Sequence, residues 1–311
     1  MRIEFVTVDV FTDRQFGGNP LAVVPDGRGL TSAQMQAIAA EFNLSETTFV
    51  LPPREANHTA QVRIFTPRAE LPFAGHPNVG TAFVLGHGAH GGDGAVIIGA
   101  SAAASISGDA LVFEEAAGLV HIDLMRTDDR VVGARLAAPQ AFALGAEIGR
   151  EIVAEACALT AEDIDATAHR PSVASCGMPV VCAQLGNRAS LAAARPRADV
   201  FAAHLPAELA AGLLLYVQSA DGREVEARMF APLHGITEDP ATGSAGVALV
   251  GLLAHLRSEP DLTLALTIRQ GEDMGRPSRM EASAEKRAGI VVATSIGGSC
   301  VPVIRGTIDL A

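Results

Sequence analysis

Short apolar or alternating runs dominate the chain. Residues 3–11, 21–24, 47–51, 61–66, 95–98, 103–107, 111–114 and 119–124 read as strands in the first half, and residues 131–137 as a strand just beyond it. Residues 172–185, 212–218, 262–270, 278–282, 289–295 and 301–310 do so in the second, the run 172–185 turning at a glycine-proline corner. Helical spacing is rarer. Thr31 followed three residues later by Gln34 has the form of a capping box before a helix over 35–42. Over 77–86, Val79, Ala82, Phe83 and Gly86 recur at spacings of three and four with small residues between, so that helix is expected to be packed on most sides. The run 241–256 is equally apolar and small, with Pro240 suited to a first helical turn. Residues 146–157 and, with a break at Pro196, 190–209 are predicted helices, residues 159–163 a capped turn, and 87–94 a glycine-rich turn. Strands and turns make the majority fabric. The regular alternation of single strands with crossover helices expected of a doubly wound sheet is missing.

The pattern occurs twice. RIFTP at 63–67 returns as RMFAP at 228–232, HPNVGTA at 76–82 as DPATGSA at 239–245, and GNPLAV at 18–23 as GMPVVC at 177–182. Three matched blocks in one order imply two homologous halves, each supplying a helix N-terminus and each made of short strands around one central helix. A polar, charged stretch at 126–130 is the expected linker, giving domains 1–125 and 126–299.

Composition agrees with two domains and narrows the partners. At 311 residues and 49% hydrophobic, the chain exceeds the size usually served by one core. A net charge of -12 and a pI near 5.2 argue against nucleic acid or an anionic membrane as partner. The N-terminus lacks the form of an export signal and no apolar run is long enough to span a bilayer, so a cytoplasmic protein is expected. Four cysteines, Cys157, Cys176, Cys182 and Cys300, lack metal-ligand spacing and read as small buried side chains. Neither a metal nor a nucleotide fingerprint is present, and no cofactor is expected.

The chemistry gathers at the repeated ends. Glu46 stands at a loop-strand border, and His76 and Asp239 occupy matched positions at the two helix starts. If the halves face each other about the approximate two-fold that repetition implies, His76 and Asp239 come onto one cleft, where a carboxylate and an imidazole suit proton transfer. A closed cleft would raise a carboxylate into the range of a base. Structural readings stand beside this: His76 as a helix cap, Asp239 as an N-cap, or the neighbouring Glu238 as the acid. Ser244 and Thr81, with the backbone amides of Gly75 and Gly243, can grip a carboxylate, and Asn19 sits in a tight corner with exposed amides. Arg63 and Arg228, each just before these loops, either neutralise a substrate carboxylate or pin their own loop.

Several motifs together resemble the phenazine-biosynthesis PhzF-like family of the diaminopimelate epimerase superfamily. They are DVFT at 9–12, FGGNPLAV at 16–23, NLSETTFV at 43–50, RIFTP at 63–67, LPFAGHPNVG at 71–80, EDPATGSA at 238–245 and QGEDMGRPS at 270–278. The resemblance implies an α+β fold of two similar domains, each a barrel-like, mostly antiparallel β-sheet around a central α-helix, with the last strand, about 300–311, returning to the first domain. The family's characterised phenazine enzyme is a cofactor-free isomerase of trans-2,3-dihydro-3-hydroxyanthranilate. By resemblance Glu46 shuttles the proton, His76 and Asp239 assist and orient, and Ser244 lies near the carboxylate anchor. The superfamily's epimerases place a cysteine at each central-helix start, whereas this chain has His76 and Asp239 there. The expected activity is a proton-moving isomerase on a small cyclic or amino-acid-like carboxylate, in a cytoplasmic homodimer. The alternatives are an amino-acid racemase or epimerase with non-thiol bases, and a non-catalytic binder of small carboxylates.

Overall fold

A computed structural model describes residues 1–89 and 108–310. They form an α+β structure of mixed sheet and helices that divides into two compact units, Met1–Ala137 with Gly297–Ala311, and Ala138–Ile296.

In the first unit β1 (Arg2–Val10) pairs antiparallel with β2 (Asn19–Val24), and β2 runs parallel to β3 (Glu46–Leu51). Parallel neighbours need a crossover, which helix α1 (Ser32–Phe42) provides. Its capping box is formed by Thr31 and Gln34 as the sequence predicts, and Asn43 ends it in the left-handed region at φ 51°. β3 continues antiparallel to β4 (Ala60–Phe65), which carries the short β5 (Glu70–Leu71) and lies parallel to β6 (Ala110–Glu115). Between β5 and β6 the chain makes helix α2 (Gly75–Ala89), which packs on β1, β2, β3, β7 (Gly118–Thr127) and β8 (Arg130–Ala137). Every residue of α2 from His76 to Gly86 is buried, as an apolar helix without a polar face requires. α2 outlasts its predicted end: the turn expected at 87–94 is helical to Ala89. The rest of that turn and the strands expected at 95–98 and 103–107 lie outside the described residues.

The second unit repeats this order of pairings. β10 (Ser172–Ser175) is antiparallel to β11 (Pro179–Gln184), and β11 is parallel to β12 (Leu213–Gln218). β12 is antiparallel to β13 (Glu224–Ala231), which carries β14 (Ile236–Asp239) and runs parallel to β15 (Leu262–Gln270). β15 is in turn antiparallel to β16 (Ser278–Arg287). Ahead of these stand β9 (Ala143–Glu147) and α3 (Arg150–Ala156). The β11–β12 crossover contains α4 (Arg188–Ala193) and α5 (Ala198–His204), broken around Pro196 as the sequence predicts. The equivalent of α2 is α6 (Gly243–Leu256), buried from Ala245 to Ala254 and packed on β10, β11, β15 and β16. The last strand, β17 (Ile290–Asp309), is divided between the units and pairs with β1 from Arg2↔Asp309 to Val10↔Cys300.

Three expectations are corrected. The polar stretch at 126–130 is a hairpin turn and not a linker: Thr127 pairs with Arg130, and Asp128 takes the left-handed conformation the two-residue loop needs, at φ 54°. The helix predicted over 146–157 is shorter, because residues 143–147 are spent on pairing with β10 and Gly149 caps what remains. The separate strands 289–295 and 301–310 are one strand through Gly297 and Gly298. Backbone approaches so closely there that a Cβ on Gly133 would stand 2.0 Å from the Gly298 carbonyl oxygen.

Candidate active site

The first unit joins two of the predicted residues. Glu46 is the first residue of β3 and His76 the second of α2, and His76 Nε2 lies 3.4 Å from Glu46 Oε2. Both side chains are nearly withdrawn from solvent, at 8% exposure for His76 and 12% for Glu46. Burial disfavours the imidazolium and pushes the His76 pKa down to about 3, so the ring is neutral across the physiological range. A neutral imidazole has one donor and one acceptor nitrogen. By choice of tautomer it can face the carboxyl as carboxylate or as acid.

This pair is held by a buried polar frame. The Ser45 hydroxyl donates to Asn19 Oδ1 at 3.1 Å, tying the residue before Glu46 to the glycine-asparagine corner, where Asn19 is fully buried. Thr81 bonds to Thr48, hydroxyl to hydroxyl at 2.8 Å, in the core. Thr81 therefore locks α2 to β3 and faces no solvent from which a carboxylate could be gripped. Asn78 Nδ2 donates to the Ala74 carbonyl at 3.0 Å, fixing the first turn of α2 around Gly75 and His76.

In the second unit Asp239 ends β14 and is not the helix N-cap; Thr242 is, and α6 starts at Gly243. The Thr242 hydroxyl donates to Asp239 Oδ2 and accepts from Gln270 Nε2 at 3.1 Å. That hydroxyl makes no cap bond to the first-turn amides, which stay available at the positive end of the helix dipole beside Gly243 and Ser244. Gln270, fully buried, also donates to the Asp239 carbonyl at 2.7 Å. The next residue must be glycine: Gly271 has φ +78°, and a Cβ there would meet the Pro240 carbonyl oxygen at 2.7 Å. The Ser244 hydroxyl donates to Met178 Sδ at 3.6 Å.

The repeated arginines pin their loops. Arg63 Nε and Nη2 bond both oxygens of Glu70 at 2.7 and 2.6 Å, and Arg228 does the same to Glu238 at 2.7 and 2.8 Å. Each guanidinium also covers the phenylalanine two residues on, 5.0 Å above Phe65 and 4.9 Å above Phe230. Glu238, the alternative acid, is thereby committed to Arg228. Gln270, Thr242 and Ser45 are the positioning groups that sequence reasoning missed. The first lies in the QGEDMGRPS motif at 270–278, whose hydrogen bonds to residues 239–242 no spacing in the sequence displays. Among the described residues no three His, Cys, Asp or Glu side chains are grouped to hold a metal ion, and no helix is long and apolar enough to cross a membrane.

A family model described as phenazine biosynthesis-like protein matches residues 8–306. The chain belongs to that family. It is 38% identical to an uncharacterized isomerase of Mesorhizobium japonicum, with 97% of each chain covered. It is 34% identical to the trans-2,3-dihydro-3-hydroxyanthranilate isomerase of Pseudomonas chlororaphis, covering 98% of this chain and 99% of the relative. Its fold is that of a PhzF-family phenazine biosynthesis protein of Bacillus anthracis, with a TM-score of 0.86, 24% identity and 100% of both chains covered. As a family member the chain is an isomerase.

Proposed function

We propose that this isomerase relocates a proton on a small cyclic or amino-acid-like carboxylate, and that Glu46 is the group that takes the proton and returns it. The observation that carries the reading is the buried Glu46–His76 pair, with a neutral imidazole 3.4 Å from the carboxyl. A carboxyl that removes a proton must hold it, without loss to water, until it is redelivered at another carbon. A nearly dry pocket with a ring that can accept or donate supports that. His76 orients the carboxyl in both of its states. Asp239 assists from the loop that Gln270 and Thr242 hold, and the amides of Gly243 and Ser244 with the Ser244 hydroxyl bind the substrate carboxylate. Gly75 and Asn19 act through backbone and corner geometry.

Thiol chemistry has no support in the arrangement. All four cysteines are free and buried, and burial pushes Cys157 and Cys182 up to about 12, far from the thiolate that a two-thiol epimerase uses. The two units are read as copies of one fold, supported by the common order of pairings and by the matched Arg-Glu-Phe anchors.

The test is solvent-proton incorporation. Trans-2,3-dihydro-3-hydroxyanthranilate, the substrate named for the Pseudomonas relative, is incubated with enzyme in deuterated water, and isomerised product is examined for deuterium. Deuterium should enter with the native protein and not with Glu46→Gln, while circular dichroism stays unchanged. Exchange at an undiminished rate in that variant removes Glu46 from the role.

A further inference from the structure

We propose that Met178 is a specificity-determining residue at the start of α6: an apolar, displaceable cover that favours carboxylates bearing a ring or alkyl flank over those bearing a second charge beside the carboxylate. This rests on the reading that the α6 start binds the substrate carboxylate.

The Gly-X-Pro triplets of the two repeated corners, Gly18-Asn19-Pro20 and Gly177-Met178-Pro179, differ at the middle residue. In the first, Asn19 is 1% exposed and receives the Ser45 hydroxyl, so the corner ends in a buried polar anchor. In the second, the matched residue is Met178, 37% exposed, whose sulfur is the hydrogen-bond partner of the Ser244 hydroxyl at 3.6 Å among the described residues. The backbone that presents it is fixed. Gly177 has φ +128°, its amide donates to Ser175 Oγ at 3.1 Å, and Pro179 pairs with Ser175 across the β10–β11 turn. A rigid corner therefore carries a flexible side chain onto the second residue of a helix whose N-cap hydroxyl is committed elsewhere.

A thioether is a weak acceptor, so the Ser244 hydroxyl is in a poor bond that a carboxylate oxygen replaces with a charge-assisted one. The displaced sulfur remains attached to the fixed corner and settles against whatever flanks the carboxylate. An unbranched, polarizable side chain fits a ring face or an alkyl segment and gives no hydrogen bond to a second charged group, which would be desolvated there without compensation.

Binding of benzoate, acetate and malonate, followed by calorimetric titration, tests this without knowledge of the natural substrate. The native protein should bind benzoate more tightly than acetate or malonate. Met178→Ala and Met178→Asn should lower the benzoate-to-acetate affinity ratio about tenfold, the scale of a lost apolar contact, and Met178→Leu should restore it. Ser244→Ala should weaken all three ligands alike. If Ser244→Ala weakens all three but the Met178 variants leave the ratio unchanged, the inference fails and the carboxylate reading of α6 stands. If Ser244→Ala changes none of them, or the native protein binds none, the carboxylate reading itself is overturned and the inference with it.

Discussion

At the start of α2 the titratable groups are buried and face each other, whereas at the start of α6 the carboxylate of Asp239 is half-buried and bonded to a threonine of its own loop. The frames beneath are nearly the same. Each has an arginine gripping a glutamate through two nitrogens over a phenylalanine, and a buried helix just ahead of the strand that completes a parallel-antiparallel-parallel run. What separates them is a handful of side chains at matched positions: His76 against Asp239, Asn19 against Met178, Thr81 against Ser244. A repeat can therefore hold its backbone and its anchors constant while one copy carries a buried carboxyl-imidazole pair and the other a helix start with a partly exposed serine; we propose the proton for the first and the anion for the second.

The widest gap between the copies is expected in catalysis. Glu46→Gln removes the proposed proton carrier and should lower turnover by about 10²–10⁴-fold. Asp239→Asn, which keeps a hydrogen-bond acceptor for Thr242, should cost markedly less. Steady-state rates of the two purified variants on one substrate decide it, and a larger loss in Asp239→Asn would reverse the division of labour argued for the two helix starts.

The anchors should differ in the opposite direction, because the same bidentate pair is deeper in the second unit. Arg228 is 6% exposed and donates further to the carbonyls of Leu191, Ala192 and Ala194, so Arg228→Ala strands the Glu238 carboxylate and should cost about 3–5 kcal/mol. Arg63 is 21% exposed and Glu70 39%, and there the cost of Arg63→Ala should be about 1 kcal/mol or less. Urea midpoints measure both. Equal losses would mean that burial is not what distinguishes the two anchors.

Proton linkage sharpens the contrast further. The folded His76 has its pKa pushed down to about 3 by burial, against about 6.5 in the unfolded chain, so between those values the unfolded state holds more protons. Its contribution therefore makes stability rise with pH from about 3 to 6.5, by up to about 1.4 kcal/mol per pH unit, and level off above. His76→Asn should flatten that part of the stability curve. A curve of unchanged slope would mean that the ring is not held neutral in the fold. Glu115 supplies the reverse sign in the same unit: burial raises its carboxyl from 4.5 to about 8, so its contribution is full below about 4.5 and is lost as pH rises through 8.

Much of this was legible in the residues themselves. The repeat is visible because anchors and helix starts reuse the same letters, and the central helices announce themselves by lacking a polar side. β9 was not legible, since all five of its residues are exposed and an edge strand with no apolar face leaves no alternation to read. The helix predicted over 146–157 starts only at Arg150, because its first predicted residues belong to this strand. At the site, Glu46, His76 and Asp239 could be singled out by type and position. The positioning role of Gln270 could not, because it depends on β15 ending beside residues 239–242, a contact that only pairing of distant strands creates. Thr81 was misread for a related reason. Its place one turn into a helix suggests an anion grip, but the hydroxyl of Thr48, two residues beyond Glu46, takes it into the core.

The smallest effect concerns the corner that the two copies use differently. Ser45→Ala deletes one hydrogen bond to Asn19, leaving a buried amide oxygen with a lost donor, and should reduce stability by about 1 kcal/mol. Because Ser45 precedes Glu46 directly, loosening that corner should also widen the distribution of Glu46 positions relative to His76. On the proposal that the α6 start binds the substrate carboxylate, turnover should fall severalfold while substrate affinity stays nearly constant. The outcome separates the copies cleanly. A change confined to affinity would assign the first corner, like the second, to ligand recognition, and the contrast between a proton site and an anion site would have to be drawn elsewhere.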